Sequence, residues 1–164
     1  VKPAVGPEVT LSTCQLDFLL PRKFELNYID SNGEKQTPIV IHRAIFGTFD
    51  RFTAFILEET KGALPLWLAP VQLSVIPVNS ELYEQLKNAG YRVELDSRNE
   101  KLGYKLREAV MKKVPYMLII GQKEVDNKNV SFRRSGSEET ITVSYEEFIE
   151  LLKEDVVNKT RNDK

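Results

Sequence analysis

Apolar and polar residues alternate along the first third of the chain with the period of two that is typical of β-strands. The alternation runs over residues 14–20 and resumes over residues 24–29. Asn32-Gly33 then predicts a tight hairpin turn, because both residues tolerate a positive φ, and residues 37–45 read as the returning strand. We therefore expect this part of the chain to form a small antiparallel sheet.

A helical period replaces the strand period after Gly47. Apolar residues recur at helical spacing over residues 49–59, and Thr48 is suited to cap the N-terminus of that helix. An apolar segment bracketed by two prolines follows at residues 63–70, which indicates a domain boundary. We place a first domain at residues 1–66 and a second domain at residues 67–164.

The second domain alternates strands with helices, which predicts an α/β fold with a largely parallel sheet. Residues 116–120 are almost continuously apolar, as expected of a strand that is covered on both faces. Ser144 and Glu147 predict a capping box at the start of a last helix over residues 145–157. The other predicted strands are residues 71–77, 92–95, 129–133 and 140–143, and the other predicted helices are residues 80–89 and 101–113.

Composition narrows the class of protein and its compartment. The chain has 164 residues, of which 41% are hydrophobic and 29% charged, so it is long enough for a packed core and typical of globular proteins. The longest uncharged stretch, residues 62–80, contains three prolines, so no membrane partner is expected. One cysteine excludes an internal disulfide and favours a reducing, cytoplasmic location.

The net charge of −1 conceals an uneven distribution of charged residues. Residues 91–134 carry 11 basic and 6 acidic side chains, whereas residues 135–164 carry 4 basic and 8 acidic ones. A locally basic surface is typical of proteins that bind the phosphate backbone of nucleic acids. Charge alone leaves open the alternative of chance clustering on a solvated surface.

One segment combines a strand end with a helix start in a way that indicates anion binding. Residues 42–52 read HRAIFGTFDRF, which places Arg51 in the first turn of the predicted helix. An arginine is unfavourable there for the helix dipole, and such local conflicts are expected at functional sites. A helix N-terminus and a guanidinium both favour a phosphate group. The residues alone leave open that Arg51 is an ordinary surface arginine.

This segment and the sequence PLWLAPVQ at residues 65–72 resemble the third signature motif of class II aminoacyl-tRNA synthetases, specifically threonyl-tRNA synthetases. The sequence QLDF at residues 15–18 resembles the strand before that motif, and residues 96–107 and 114–124 resemble the anticodon-binding domain of the family. The resemblance implies an α/β protein. It would combine a remnant of the antiparallel class II catalytic sheet, including the motif 3 helix, with an anticodon-binding domain of three helices and a mixed five-stranded sheet.

The resemblance implies a threonine–tRNA ligase of protein biosynthesis. Such an enzyme activates threonine with ATP and Mg²⁺ and transfers it to threonine-specific tRNA, as a cytoplasmic homodimer. The chain resembles only the C-terminal part, so we expect it to recognise the anticodon and to be inactive by itself. Two alternatives stay open: a stand-alone anticodon-binding module without ligase activity, and a protein that has merely inherited the fold.

The resemblance also implies roles for single residues. His42 matches one of the family's three zinc ligands, and it would be the only ligand that this chain supplies for Zn²⁺. Arg51 matches the arginine that holds the γ-phosphate of ATP, Thr48 a residue near the substrate, and Gln15 a glutamine of the threonine and adenylate pocket. The residues expected to read the anticodon are Asn99, Glu124 and Arg133, and those expected to neutralise the tRNA backbone are Arg98, Lys101, Lys105, Arg107 and Lys113.

Overall fold

The computed structural model describes residues 1–77 and 81–160 of the chain. The chain divides into two compact units, Val1–Glu59 and Thr60–Lys164. The domain boundary predicted from the sequence, after residue 66, lies a few residues beyond this division and stays a proposal. Within the described ranges, no helix is long and apolar enough to cross a membrane.

The first unit is built on an antiparallel pair of strands. Strand β1 (Thr13–Asp17) pairs with strand β4 (Val40–Ala44), so that Gln15 lies directly opposite His42. Helix α2 (Phe49–Glu59) follows β4 and has the bounds that the sequence predicts. Helix α2 therefore begins only a few residues after the end of β4, the strand that carries His42.

The chain leaves β1 earlier than the sequence predicts. Residues 14–20 alternate like a strand, but helix α1 (Leu19–Lys23) begins directly after Phe18. The carboxylate of Asp17 accepts hydrogen bonds from the backbone N–H groups of Leu19, at 2.9 Å, and Leu20, at 3.0 Å. These bonds satisfy N–H groups that a helix start leaves without an intrahelical partner, and they favour the turn over a longer strand.

A hairpin forms at the predicted turn, but its second strand is not the predicted one. Strand β2 (Tyr28–Ile29) pairs with strand β3 (Lys35–Gln36), each only two residues long, and Gly33 adopts a φ of 82° in the turn between them. The pairing predicted between residues 24–29 and residues 37–45 is therefore wrong, because the partner of β2 is β3. The strand predicted over residues 37–45 is β4, which pairs with β1 and not with the hairpin.

The second unit contains a five-stranded mixed sheet with the order β6-β5-β7-β8-β9. Strands β6, β5 and β7 are parallel to one another, and β8 and β9 add to the sheet in antiparallel pairs. The mixed sheet predicted from the family resemblance is thereby confirmed. The strands are β5 (Leu73–Pro77), β6 (Val93–Leu95), β7 (Tyr116–Ile120), β8 (Asn129–Arg134) and β9 (Ile141–Ser144).

Four described helices accompany this sheet, one more than predicted. The additional helix, α5 (Gln122–Asn127), joins β7 to β8 and has only Val125 as an apolar residue, so it shows no helical hydrophobic period. Residue 80, at which the sequence interpretation begins α3, lies outside the described residues. The other helices are α3 (Glu81–Asn88), α4 (Leu102–Met111) and α6 (Tyr145–Val157).

Aromatic packing between the sheet and helix α6 forms the main core. The rings of Phe132 and Phe148 have centroids 5.0 Å apart, and Tyr116 contacts both. Burying a side chain of this size contributes roughly 1.5–3 kcal/mol. In the first unit, by contrast, the buried side chains are those of Leu11, Asp17 and Pro21. The second unit therefore offers the more rigid support for functional side chains.

Candidate functional site

Polar side chains surround Glu124 at the end of the sheet where β7 runs into α5. One carboxylate oxygen of Glu124, Oε2, accepts the backbone N–H of Gly121 at 3.0 Å, and the other, Oε1, accepts the hydroxyl of Ser131 at 3.1 Å. The Ser131 hydroxyl also lies 2.8 Å from that of Thr142 on β9. Ser131 is buried, whereas Glu124 is half-buried. The structure thus fixes the Glu124 carboxylate while leaving part of it open to solvent.

Arg133 lies on the same face of the sheet as this network. It is two residues beyond Ser131 on β8, and side chains two apart along a strand point to the same face. Its Nε donates to the hydroxyl of Thr140 at 2.8 Å, which uses one of the five donors of a guanidinium. The Glu124 carboxylate, which accepts hydrogen bonds, and the Arg133 guanidinium, which donates them, therefore lie on one surface.

Asn99 lies in the loop that joins β6 to α4, and it is exposed. The loop is braced by Arg98, whose guanidinium donates to the carboxylates of Asp96, with Nε at 2.9 Å, and Glu108. The hydrogen bonds from Arg98 lower the pKa of both carboxyl groups. Strand β6 lies three strand spacings from β8, about 14 Å across the sheet. The structure therefore does not bring Asn99 next to Arg133.

The cations expected to neutralise the tRNA backbone differ in how available their charge is. Lys101 and Arg107 are exposed. Lys105 is buried and its ammonium donates to a backbone carbonyl at 3.0 Å, while Lys113 donates to another backbone carbonyl. Arg98 is held by two carboxylates. Lys101 and Arg107 are thus the members of this set best placed to meet phosphates.

Gln15, Asp17 and His42 share one face of the β1–β4 pair, because Gln15 lies opposite His42 and Asp17 is two residues further along β1. The Nε2 atom of His42 is 2.9 Å from Oδ2 of Asp17. The backbone N–H of Leu20 and the imidazole of His42 hold the pKa of Asp17 below its usual value. No role was predicted for Asp17, and the structure makes it the partner of His42.

These residues do not by themselves fit a zinc ion. Among the residues that the structure describes, no group of three or more His, Cys, Asp or Glu side chains could hold a metal. Structural and catalytic zinc sites use at least three protein ligands. His42 as a zinc ligand therefore stays a prediction from the family resemblance.

The start of helix α2 has the predicted cap. The hydroxyl of Thr48 accepts the backbone N–H of Arg51 at 3.3 Å, which places Arg51 in the first turn with its side chain exposed. Gly47 turns the chain between β4 and α2 with a φ of 73°, and a Cβ there would lie 3.2 Å from the carbonyl oxygen of Leu11. Glycine is thus favoured at this position both by the positive φ and by the limited space.

The residues that surround Glu124 and Arg133 in the structure were not predicted from the sequence. Isolated serines and threonines in strands belong to no sequence motif, so no motif predicts a function for them. A signal was nevertheless present in the period of two along the last two strands. The missed residues are Gly121, Ser131, Thr140 and Thr142.

Comparisons with known proteins give a consistent result for both units. Residues 68–155 match the family described as "Anticodon binding domain", and residues 1–60 match the family described as "tRNA synthetase class II core domain (G, H, P, S and T)". Two curated relatives are "Threonine--tRNA ligase" proteins. The one from Staphylococcus saprophyticus is 53% identical over 95% of this chain, and the one from Staphylococcus epidermidis is 54% identical over 91%.

The chain spans about a quarter of the length of these relatives, 25% and 24% respectively. A solved structure is similar to most of the chain: the crystal structure of the RNA binding domain of threonyl-tRNA synthetase from Cryptosporidium parvum Iowa II. It superposes with a TM-score of 0.78 at 32% identity, covering 92% of this chain and 40% of that one. The similarity thus extends across both units and is not confined to a short motif.

Proposed function

Because this chain belongs to the anticodon binding domain family, in its threonyl-tRNA synthetase branch, we propose that it recognises the anticodon of threonine-specific tRNA. The observation that carries the proposal is that Ser131, which binds Glu124, and Arg133, which binds Thr140, lie on the same face of β8. Sequence-specific RNA recognition favours single-stranded loops, whose unpaired bases expose their hydrogen-bonding edges. A loop presented to this face would meet an acceptor and a donor group.

The residue types on this face can distinguish bases. A carboxylate only accepts hydrogen bonds, so Glu124 selects a base edge that presents N–H groups, as guanine does. Arg133 supplies donors for a carbonyl or ring nitrogen, and the exposed amide of Asn99 can do both. Lys101 and Arg107 would neutralise phosphates, which adds affinity without sequence preference.

For the whole protein we propose threonine–tRNA ligase activity. The match of residues 1–60 to the class II core supports this, as do the relatives' names. In this proposal ATP with Mg²⁺ and threonine are substrates, Arg51 holds the γ-phosphate, and Thr48 and Gln15 line the threonine pocket. The exposed position of Arg51 at a helix start is suited to an anionic ligand.

The assembly and location of the whole protein are also part of the proposal. We expect a homodimer in the cytoplasm, where the exposed thiol of Cys14 would stay reduced. The first unit exposes many large apolar side chains, among them Leu16, Phe18 and Ile41, which further parts of a ligase would cover. We expect this chain alone to lack ligase activity. The relatives do not favour the alternative of a stand-alone module.

Fluorescence anisotropy with anticodon stem-loop RNAs tests the proposal. We expect the 164-residue chain to bind the threonine loop more tightly than an unrelated loop of the same length. Arg133→Ala should weaken binding of the threonine loop by about 1–3 kcal/mol, the usual contribution of a base-edge contact. Both RNAs should bind more weakly at higher salt.

Arg134→Ala is the matched control, because it removes the same charge from the next residue of β8, where the guanidinium lies over the ring of Tyr116. It should lower the affinity for both RNAs alike. Equal affinity of the unaltered chain for the two loops would refute anticodon recognition.

A further inference from the structure

Gly121, at the end of β7, leaves the space in which the Glu124 carboxylate lies. Its backbone has a φ of −90° and a ψ of 178°, an extended conformation that any residue adopts. The conformation therefore does not require glycine. A Cβ at this position, however, would lie only 2.8 Å from Oε2 of Glu124. The missing side chain thus allows the carboxylate to fold back onto the backbone N–H of Gly121.

The hydroxyls on β8 and β9 form a directed chain that ends on the same carboxylate. The single proton of the Ser131 hydroxyl is donated to Oε1 of Glu124. The contact of 2.8 Å between Ser131 and Thr142 must then be a hydrogen bond donated by Thr142. Successive hydrogen bonds of this kind polarise one another and strengthen the last one. Ser131 is only 6% exposed, so water cannot readily replace its hydroxyl group.

Together these contacts hold each carboxylate oxygen by one donor. A carboxylate has about four lone-pair positions, so roughly one on each oxygen remains for a ligand. Two adjacent acceptors match two adjacent N–H donors on one base edge, such as the N1–H and the 2-amino group of guanine. Threonine codons begin with AC, so every threonine anticodon has guanine at its centre.

We infer that Gly121, Ser131 and Thr142 are positioning residues that fix the Glu124 carboxylate for two-point recognition of a guanine edge. This inference rests on the proposed function. A fixed carboxylate loses little rotational freedom when the base binds, which favours the correct base over one that offers a single donor. A freely rotating glutamate would still attract N–H groups, with less discrimination.

The test compares two anticodon stem-loops that differ by one amino group. The first contains guanine at the centre of the anticodon, and the second contains inosine, which lacks the 2-amino group. We expect the 164-residue chain to prefer guanine by roughly five- to 150-fold, the range of discrimination by one good bidentate base contact. Gly121→Ala, Ser131→Ala and Thr142→Val should each lose most of this preference. Ser131→Thr, which keeps the hydroxyl, should retain it.

Two substitutions serve as matched controls. Gly103→Ala adds a methyl group in α4 where no atom lies within 4 Å of the new Cβ. Ser135→Ala removes a hydroxyl that makes no hydrogen bond to the residues described here. Neither control should change the guanine preference. The salt dependence of binding should stay the same in all variants, because none of the substitutions removes a cation.

The outcomes separate this inference from the proposed function. If the unaltered chain prefers guanine and Gly121→Ala, Ser131→Ala and Thr142→Val keep that preference, the inference is overturned and anticodon recognition stands. A uniform loss of affinity with an unchanged preference overturns it as well. If the unaltered chain shows no preference between the two loops, both the inference and the recognition of guanine by Glu124 are refuted. Should Gly121→Ala fail to fold, Ser131→Ala and Thr142→Val decide the question.

Discussion

In each unit a single carboxylate accepts hydrogen bonds from more than one element, and Asp17 is the simplest example. Its side chain accepts two backbone N–H groups at the start of α1 and the imidazole of His42 from the neighbouring strand. These three donors keep the carboxylate ionised, which is why its pKa is lowered. An ionised carboxylate cannot donate, so the imidazole nitrogen that faces it must carry the proton.

This contact predicts the tautomer of His42. The neutral ring should carry its proton on Nε2 and leave Nδ1 as the acceptor. Because the chain has one histidine, a single set of imidazole ¹⁵N NMR signals reports the tautomer without assignment. Asp17→Ala should produce a mixture of tautomers, while Gln15→Ala, on the facing position, should leave the signals in place. A proton on Nδ1 in the unaltered chain would contradict this contact.

Capping decides where several elements begin, and helix α6 is the clearest case. The hydroxyl of Ser144 accepts the backbone N–H of Glu147 at 3.2 Å, and the Glu147 carboxylate accepts the N–H of Ser144 at 3.0 Å. Ser144→Ala should lower the free energy of unfolding by about 1 kcal/mol, whereas Ser144→Gly should cost only a few tenths. Urea unfolding of the three proteins measures both values. Equal stability of the alanine variant and the unaltered chain would contradict the cap.

The same cap has a definite pH dependence. The backbone N–H and the hydroxyl of Ser144 lower the pKa of Glu147 below its usual value of 4.5. Its ionised form therefore adds stability above that pH, and the contribution disappears as the pH falls through the lowered pKa. The loss of thermal stability caused by Glu147→Ala should accordingly be largest near neutral pH and shrink in acid. A loss that is constant with pH would show that the carboxylate charge has no part in the cap.

Elements that bury a continuous face were predictable from the sequence, and elements defined by one polar contact were not. Helix α6 has the predicted bounds because its apolar residues recur at helical spacing. Strand β7 has the predicted bounds because its five residues form one continuous apolar run that is covered on both faces. Helix α1 interrupts a strand pattern because Asp17 captures its first N–H groups. Helix α5 has a single apolar residue and begins where Glu124 bonds back to Gly121. Hydrophobic periodicity contains no information on such contacts.

At the scale of the whole chain, the charge pattern indicated a nucleic-acid partner but not which cations are available to it. The basic stretch at residues 91–134 indicated nucleic acid, yet Arg98, Lys105 and Lys113 have intramolecular partners in the structure. The anticodon-reading roles proposed for Glu124 and Arg133 come only from the family resemblance, since neither spacing nor charge marks these residues. Their common face becomes visible only when β8 and β9 pair.

Mapping the bound RNA on the chain tests the central claim most directly. Addition of the threonine anticodon stem-loop to ¹⁵N-labelled protein should shift backbone amide signals in the second unit, around Glu124, Arg133 and Asn99. Signals around the buried face of α6, at Phe148 and Leu152, should stay in place. Shifts confined to the first unit, or to the acidic helix α6, would contradict anticodon recognition by this face.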